Sequence, residues 1–239
     1  MTLSVITPCF NSEKTIERTL QSLIDQIEYI DEYIVIDGLS TDNTLGIIKK
    51  YESAFNGKLR IVSEKDNGIY DAMNKGIRLA TGDLIGIINS DDWYERNALK
   101  TVLNKYDGSK YCIIYGMLKV WQNGKLKSAY FKSHEFIEEA MIAHPTCFVT
   151  KTVYEDYGLY NTAYKSSSDY EFILNASKRK DVKFIPVLEF ISNFTADGMS
   201  SGQKGVRETL HIQYKNGLIS YKNYIFHTTK SKIYELLHR

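Results

Sequence analysis

Acidic and amide side chains stand at four points where an apolar run ends. These are Thr7-Pro8-Cys9-Phe10-Asn11, Asp37-Gly38, Ser63-Glu64-Lys65-Asp66-Asn67-Gly68 and Asn89-Ser90-Asp91-Asp92. Carboxylates brought together repel one another unless a cation or a donor-rich ligand compensates them. A divalent ion bridging a diphosphate meets that condition, because hard oxygen ligands suit Mg²⁺ or Mn²⁺ and phosphate oxygens complete the shell. A nucleotide base with N–H donors would occupy another carboxylate. The chemistry on offer is a nucleotide-diphosphate site built from carboxylates and a metal.

For these residues to meet, the apolar runs must be strands that end on one edge. Residues 3–7 read as a short strand closed by Pro8, and a helix starts near Ser12 with Ile16, Leu20, Leu23, Ile24 and Ile27 at helical spacing. Strands follow at Tyr33–Asp37, Leu59–Ser63 and Leu84–Ile88, separated by helices that open near Ser40–Asn43 and span Gly68–Ala80. Four strands alternating with three helices predict β-α-β units, hence a parallel sheet with helices on both faces. In such a sheet, ligands bind beyond the carboxyl ends of the strands, where the four polar clusters lie.

The second half reads differently. Tyr111–Tyr115 and Met117–Trp121 look like strands, and Asn123-Gly124 is a hairpin turn leading into Leu126–Phe131. A helix around Glu135–Ile142, a strand at Thr146–Val149 and a helix from Ser168 follow, and from about Gly205 the chain is expected to be mainly helical. No Pro-, Gly- or Ser-rich linker divides it, so one domain with a C-terminal helical appendage is expected.

Composition narrows the class. The 239 residues are 43% hydrophobic and 25% charged, which fits a globular α/β protein and excludes a disordered or fibrous one. A net charge of +1 gives no global attraction to nucleic acid. Cys9, Cys112 and Cys147 are widely spaced, form no C-x-x-C pair and read as buried small hydrophobes in a reducing compartment. The chain opens without a signal-peptide pattern, and its apolar runs fall far short of the roughly 18 residues of a membrane span; the expected location is cytoplasmic. Neither G-x-G-x-x-G after the first strand, G-x-x-x-x-G-K-[ST] nor H-E-x-x-H is present. Dehydrogenase, P-loop and zincin readings fall away.

Val5-Ile6-Thr7-Pro8-Cys9-Phe10-Asn11, Ile36–Thr44, Asp66–Gly76 and Asn89-Ser90-Asp91-Asp92, taken in order, resemble family 2 glycosyltransferases of the GT-A fold. The resemblance runs through the first hundred residues and continues more loosely in His144-Pro145-Thr146 and Ser168-Asp169-Tyr170-Glu171. The Gly68–Asn89 stretch is similar to bacterial enzymes that assemble O-antigen, capsule or exopolysaccharide repeat units. The resemblance implies an α/β GT-A fold with a Rossmann-like nucleotide-binding half over residues 1–110, an acceptor half over 111–204 and a helical extension over 205–239. It also implies an inverting transfer from a nucleoside-diphosphate sugar, expected to be UDP-linked, to a hydroxyl of a saccharide acceptor of polyprenyl-linked type.

Each implied role competes with a plainer one. Asp37 would accept from the nucleotide base, or cap a turn. Asp91 would hold the Mg²⁺ or Mn²⁺, with neutral Asn89 in the first position of the D-x-D-type motif, so that metal binding is weak or ligand-dependent. Asn89 and Ser90 would contact the donor, while Asp92 either joins them or opens a capping box with Glu95. Thr7, Pro8, Phe10 and Asn11 would hold the nucleotide; Asp66, Asn67 and Gly68 would contact the donor or cap a helix, and Asn74 on that helix would face the donor. Asp169 would be the catalytic base, or merely a first-turn carboxylate favoured by the helix dipole in a Ser168–Glu171 capping box. His144 would lie on the acceptor side or in the core, and Asp197 and Gly198 would belong to a lid or an ordinary loop.

From Lys204 onward, basic and aromatic residues alternate with only Glu208 and Glu235 opposing them. That pattern reads as a solvated helical face, and it also suits peripheral contact with an anionic inner-membrane surface. Two other classes compete with the transferase: a sugar-nucleotide pyrophosphorylase, which needs a Gly-rich, Arg-containing first loop where this chain has Pro8-Cys9-Phe10-Asn11, and a non-catalytic sugar-nucleotide or saccharide-binding protein, which needs no Asp169.

Overall fold

The computed structural model describes residues 1–196 and 202–238. Its first half repeats strand and helix: β1 Leu3–Cys9, α1 Ile16–Ile24, β2 Glu32–Asp37, α2 Thr44–Tyr51, β3 Leu59–Ser63, α3 Ile69–Leu79 and β4 Leu84–Ile87. The strands lie in the order β3-β2-β1-β4, all parallel, as βαβ connections require. Alternate strand residues enter opposite cores. Ile6, Ile34 and Ile85 meet α3, whereas Val5, Tyr33 and Leu84 meet α1 and α2. β1 is buried along its whole length and continues through Pro8 rather than stopping there. Its pairing with β4 ends at Ile6, so the missing Pro8 N–H breaks no ladder on that side.

The second half adds β5 Trp93–Tyr94, α4 Ala98–Lys105, β6 Cys112–Gln122, β7 Lys125–Tyr130, β8 Phe148–Thr150, α5 Lys151–Tyr157, α6 Ser168–Ser177 and β9 Lys183–Thr195. The sheet continues β4-β8-β6-β9-β5 with mixed directions, and β7 pairs with β6. The helices α7 Gln203–Lys215 and α8 Tyr221–Leu237 form the expected helical end.

Several expectations change here. The two strands predicted at 111–121 are one strand, interrupted in register near Gly116, and the hairpin at Asn123-Gly124 forms as expected. Instead of a helix over 135–142 there is one short turn at His134–Phe136; the Glu138 carbonyl accepts from Tyr170 and Gln213 on other elements. The capping box at Asp92–Glu95 does not form, because Trp93 and Tyr94 pair with Asn193 and Ser192 and the helix begins only at Ala98. β9 is the strand the sequence hides: Pro186 lies in it, tolerated because β5 covers only its far end.

Candidate active site

The carboxyl ends of β1, β2, β3 and β4 form one edge, and the four polar clusters line it. Asn11, with φ 48°, turns the chain after β1; its amide oxygen accepts from Thr41 N–H at 2.8 Å and its own N–H donates to Ser40 Oγ at 2.8 Å. Phe10 projects beside it, 58% exposed. Thr7 is fully buried, with its hydroxyl unpartnered.

Asp37 is also fully buried. Its oxygens accept from Ser40 N–H at 3.1 Å, from Ser63 Oγ at 2.6 Å and from Ser40 Oγ. This carboxylate fastens the turn after β2 to the end of β3 and presents no open oxygen, the geometry of its plainer reading. The group that reaches the edge is Asp66. A Cβ placed on Gly38 would lie 2.4 Å from Asp66 Oδ2 and 3.5 Å from the Phe10 ring, so the missing side chain at Gly38 lets carboxylate and ring flank one gap. Asp66 Oδ1 accepts from Gly68 N–H at 2.9 Å, and Gly68, at φ 117°, opens α3.

After β4, Ser90 Oγ and Ser12 Oγ are 2.7 Å apart. Asp92, fully buried, accepts from Thr195 N–H at 2.8 Å and from Asn89 Nδ2 at 3.3 Å. Asn89 Oδ1 is left without a partner. The Asp91 carbonyl accepts from Thr195 Oγ1 at 2.6 Å and from Arg18, whose guanidinium lies 3.5 Å over the Trp93 ring. The end of β9 is thereby fixed to the acidic pair. Burial, with Asp91 beside it, pushes the Asp92 carboxyl well above the ordinary range, and burial raises Asp91 as well.

A bound cation would relieve both; among the described residues the Asp91 carboxylate accepts from its own N–H, with the Arg18 charge acting on it. Nor, among them, do three or more His, Cys, Asp or Glu side chains converge as a closed metal cage. A carboxylate beside a neutral amide, Asp91 and Asn89, is a donor set that suits a hard cation.

Asp169 lies in the first turn of α6, without the capping box. Ser168 Oγ is buried and unpartnered, and Glu171 accepts from Asn161 Nδ2 at 3.1 Å instead. Asp169 Oδ1 accepts from Tyr70 Oη at 2.8 Å. Burial, then the Asp169 charge, raises the Tyr70 phenol, which stays protonated and donates. A cavity of about 130 Å³ opens beside Asp169, lined by Glu139, Ser167, Tyr170, Thr209 and Gln213 among others.

Behind it, His144 Nε2 is 2.9 Å from Tyr160 Oη, and Tyr160 packs against Tyr70 at 5.6 Å between ring centres. Asn74 does not face the edge: Nδ2 donates to Tyr160 O at 2.8 Å and Oδ1 accepts from Tyr160 N–H at 3.0 Å. Tyr70 and Asn74, one turn apart, thus join α3 to the second half. Asn67 is exposed and its carbonyl accepts from Lys165 Nζ at 2.8 Å. Asp197 and Gly198 lie outside the described residues.

Sequence reasoning missed Tyr70, Arg18 and Thr195. Only Tyr70 carried a local signal, a tyrosine one helical turn before a buried Asn; the other two are placed by contacts across 73 and 104 residues.

A sequence model described as "Glycosyl transferase family 2" matches residues 4–162, more than half of the chain. Chondroitin synthase of Escherichia coli is 26% identical over 224 residues, covering 91% of this chain and 32% of that protein. Hyaluronan synthase of Pasteurella multocida is 27% identical over 233 residues, covering 93% and 24%. The chain therefore spans a third or less of the length of these two curated relatives. S. aureus TarS 1–349 in complex with UDP-GlcNAc superposes with a TM-score of 0.71 at 22% identity, over 97% of this chain and 71% of that one. The mannosyltransferase PcManGT from Pyrobaculum calidifontis, in complex with GDP-Man and Mn²⁺, gives a TM-score of 0.67 at 17% identity, over 91% and 64%. At these identities the likeness speaks for the fold alone, which is GT-A.

Proposed function

The chain belongs to glycosyl transferase family 2, and from that premise we propose that it moves one sugar from a UDP-linked donor to a hydroxyl of a saccharide acceptor, inverting the anomeric carbon. The donor lies over residues 1–110 and the acceptor over 111–204, with 205–239 as a helical extension. The acceptor is a growing cell-surface saccharide of the O-antigen or capsule kind, carried on a lipid at the cytoplasmic face of the membrane. Two relatives are named for the synthesis of chondroitin and hyaluronan, both polysaccharides, which favours a sugar-polymer product.

Asp66 and Phe10 offer a carboxylate acceptor and an aromatic face to the nucleotide base, across the gap at Gly38. Asn89 and Ser90 contact the ribose, while Thr7, Pro8 and Asn11 shape the floor. Asp91 would hold a Mg²⁺ or Mn²⁺ ion, which would supply positive charge to the departing diphosphate.

In the transfer, the acceptor oxygen bonds to the anomeric carbon as the bond from that carbon to the diphosphate oxygen breaks. The electron pair leaves with the diphosphate and the acceptor proton passes to Asp169. General-base assistance of this kind is worth about 10²–10⁴-fold. Tyr70 orients the carboxylate, and His144 supports Tyr160 behind it.

The observation that carries the reading is the 2.8 Å bond from Tyr70 to Asp169, which ties the proposed base to the helix that starts at the donor edge. Release of UDP or GDP from a panel of nucleotide sugars, with and without saccharide acceptors, tests it. Asp169→Asn should abolish transfer while leaving calorimetric donor affinity intact; unchanged turnover would remove the base.

A further inference from the structure

Among the described residues, nine of the fifteen exposed large hydrophobic ones lie in the α7–α8 hairpin. α8 turns Tyr224, Thr228, Ser231 and Glu235, spaced four, three and four apart, towards α7. Tyr224 stacks on Tyr214 at 4.9 Å between ring centres, Ser231 Oγ donates to Gln203 Oε1 at 2.9 Å, and Glu235 pairs with Arg207 at 2.8 Å. The opposite side of the helix carries Phe226, Ile233 and Leu237, which are 63%, 52% and 75% exposed. Their spacing of seven and four keeps them in one stripe. Lys222 and Lys230 border that stripe at helical angles on either side of it, both exposed.

The acids are placed differently. Glu235 is held by Arg207, and Glu208 accepts from Lys165 N–H and Ser166 N–H, at 3.0 Å and 2.8 Å. Both carboxylates of the hairpin therefore face protein. The outward face of α8 carries this apolar stripe with Lys222 and Lys230, flanked by Asn223 and Thr229, and has no acid on it.

We propose that this face of α8 lies on an anionic phospholipid bilayer, its stripe among the acyl chains and its lysines among the headgroups. A helix with an apolar stripe and basic borders is the form that binds in a membrane interface. Two copies of this chain meeting through the same face would set lysine against lysine, which disfavours a symmetric pair. Seventeen residues give a helix about 26 Å long, and no helix among the described residues is long and apolar enough to cross a membrane, so α8 lies flat. α7 fixes the geometry relative to the site, because its Thr209 and Gln213 line the cavity beside Asp169. The hairpin thus links the proposed membrane face, through α7, to the acceptor side of the site. This deepens the proposed transfer only in naming where the lipid of the acceptor resides; the binding itself does not depend on it.

Co-sedimentation with phosphatidylcholine vesicles, with and without phosphatidylglycerol, tests the inference on the whole chain. Binding is expected to phosphatidylglycerol vesicles at low salt, to fall with added salt, and to be absent on pure phosphatidylcholine. Lys222→Ala with Lys230→Ala should weaken partitioning about 25-fold, about fivefold for each lysine. Phe226→Ser with Ile233→Ser should abolish it, with the far-ultraviolet circular dichroism unchanged. Absence of binding to phosphatidylglycerol vesicles overturns the inference. So does binding that both variant pairs leave intact, or a dimer in light scattering that the Phe226/Ile233 pair dissociates. Transfer to a water-soluble acceptor should be the same in these variants and the unaltered chain. If the unaltered chain binds vesicles yet releases no nucleotide with any acceptor, the transferase reading fails and the membrane face stands.

Discussion

Asn74→Ala separates a ligand contact from an internal clamp. The Asn74 amide spends both its atoms on the main chain of Tyr160, at 2.8 Å and 3.0 Å, and Tyr160 is 4% exposed. Truncation leaves one buried N–H and one buried C=O without partners or water. Each costs about 1–3 kcal/mol, so the pair amounts to roughly 2–6 kcal/mol, a large share of the roughly 5–15 kcal/mol that holds a typical domain folded. Urea unfolding should show that loss as a lower midpoint with an unchanged slope. Calorimetric UDP affinity of the folded fraction should not change. Turnover should fall, because Tyr160 supports Tyr70 and His144 behind Asp169. Stability intact to within about 0.5 kcal/mol, together with markedly weaker UDP binding, would refute the clamp and restore Asn74 as a donor contact.

Gly38→Ala places a methyl 2.4 Å from Asp66 Oδ2 and should displace that carboxylate, lowering UDP affinity by about tenfold, one lost hydrogen bond to a charged group; unchanged affinity in calorimetry would take Asp66 out of the base site. Asp91→Ala should remove the gain in UDP affinity that Mn²⁺ gives, and a gain that persists would deny Asp91 the metal. Burial holds the His144 imidazole below its ordinary value of 6.5, so the unfolded chain takes up a proton that the native state refuses. That share of stability is complete above this value and declines as pH falls beneath it, by up to about 1.4 kcal/mol per pH unit. His144→Gln should therefore flatten the acid-side decline in denaturant stability, and parallel profiles for the two proteins would contradict the assignment.

The difference between what the sequence discloses and what it withholds follows the range of the interactions. Strands and helices of residues 1–88 are legible because their signals are local: short β-branched runs and apolar spacing of 3.6. The polar clusters are legible for the same reason, since each directly follows its strand. Where a contact from far along the chain decides, local reading misplaces the residue. Asp92 carries the pattern of a helix cap but spends its carboxylate on Thr195 N–H, across 103 residues. Asn74 appears as a polar residue on the helix after a donor motif, yet meets Tyr160, 86 residues away. Asp37 is a middle case: turn bonds to Ser40 could be foreseen, but the further bond that Oδ2 accepts from Ser63 depends on the pairing of β2 with β3. A motif of this kind therefore mixes residues that touch the ligand with residues that fix the frame. Glycine helps tell them apart, because at Gly38 the empty Cβ position marks where Asp66 reaches the open edge. Burial then completes the distinction: a polar side chain satisfied from within has nothing left for a nucleotide, whereas the Asp91 carboxylate, which among the described residues accepts only from its own N–H, keeps acceptor capacity.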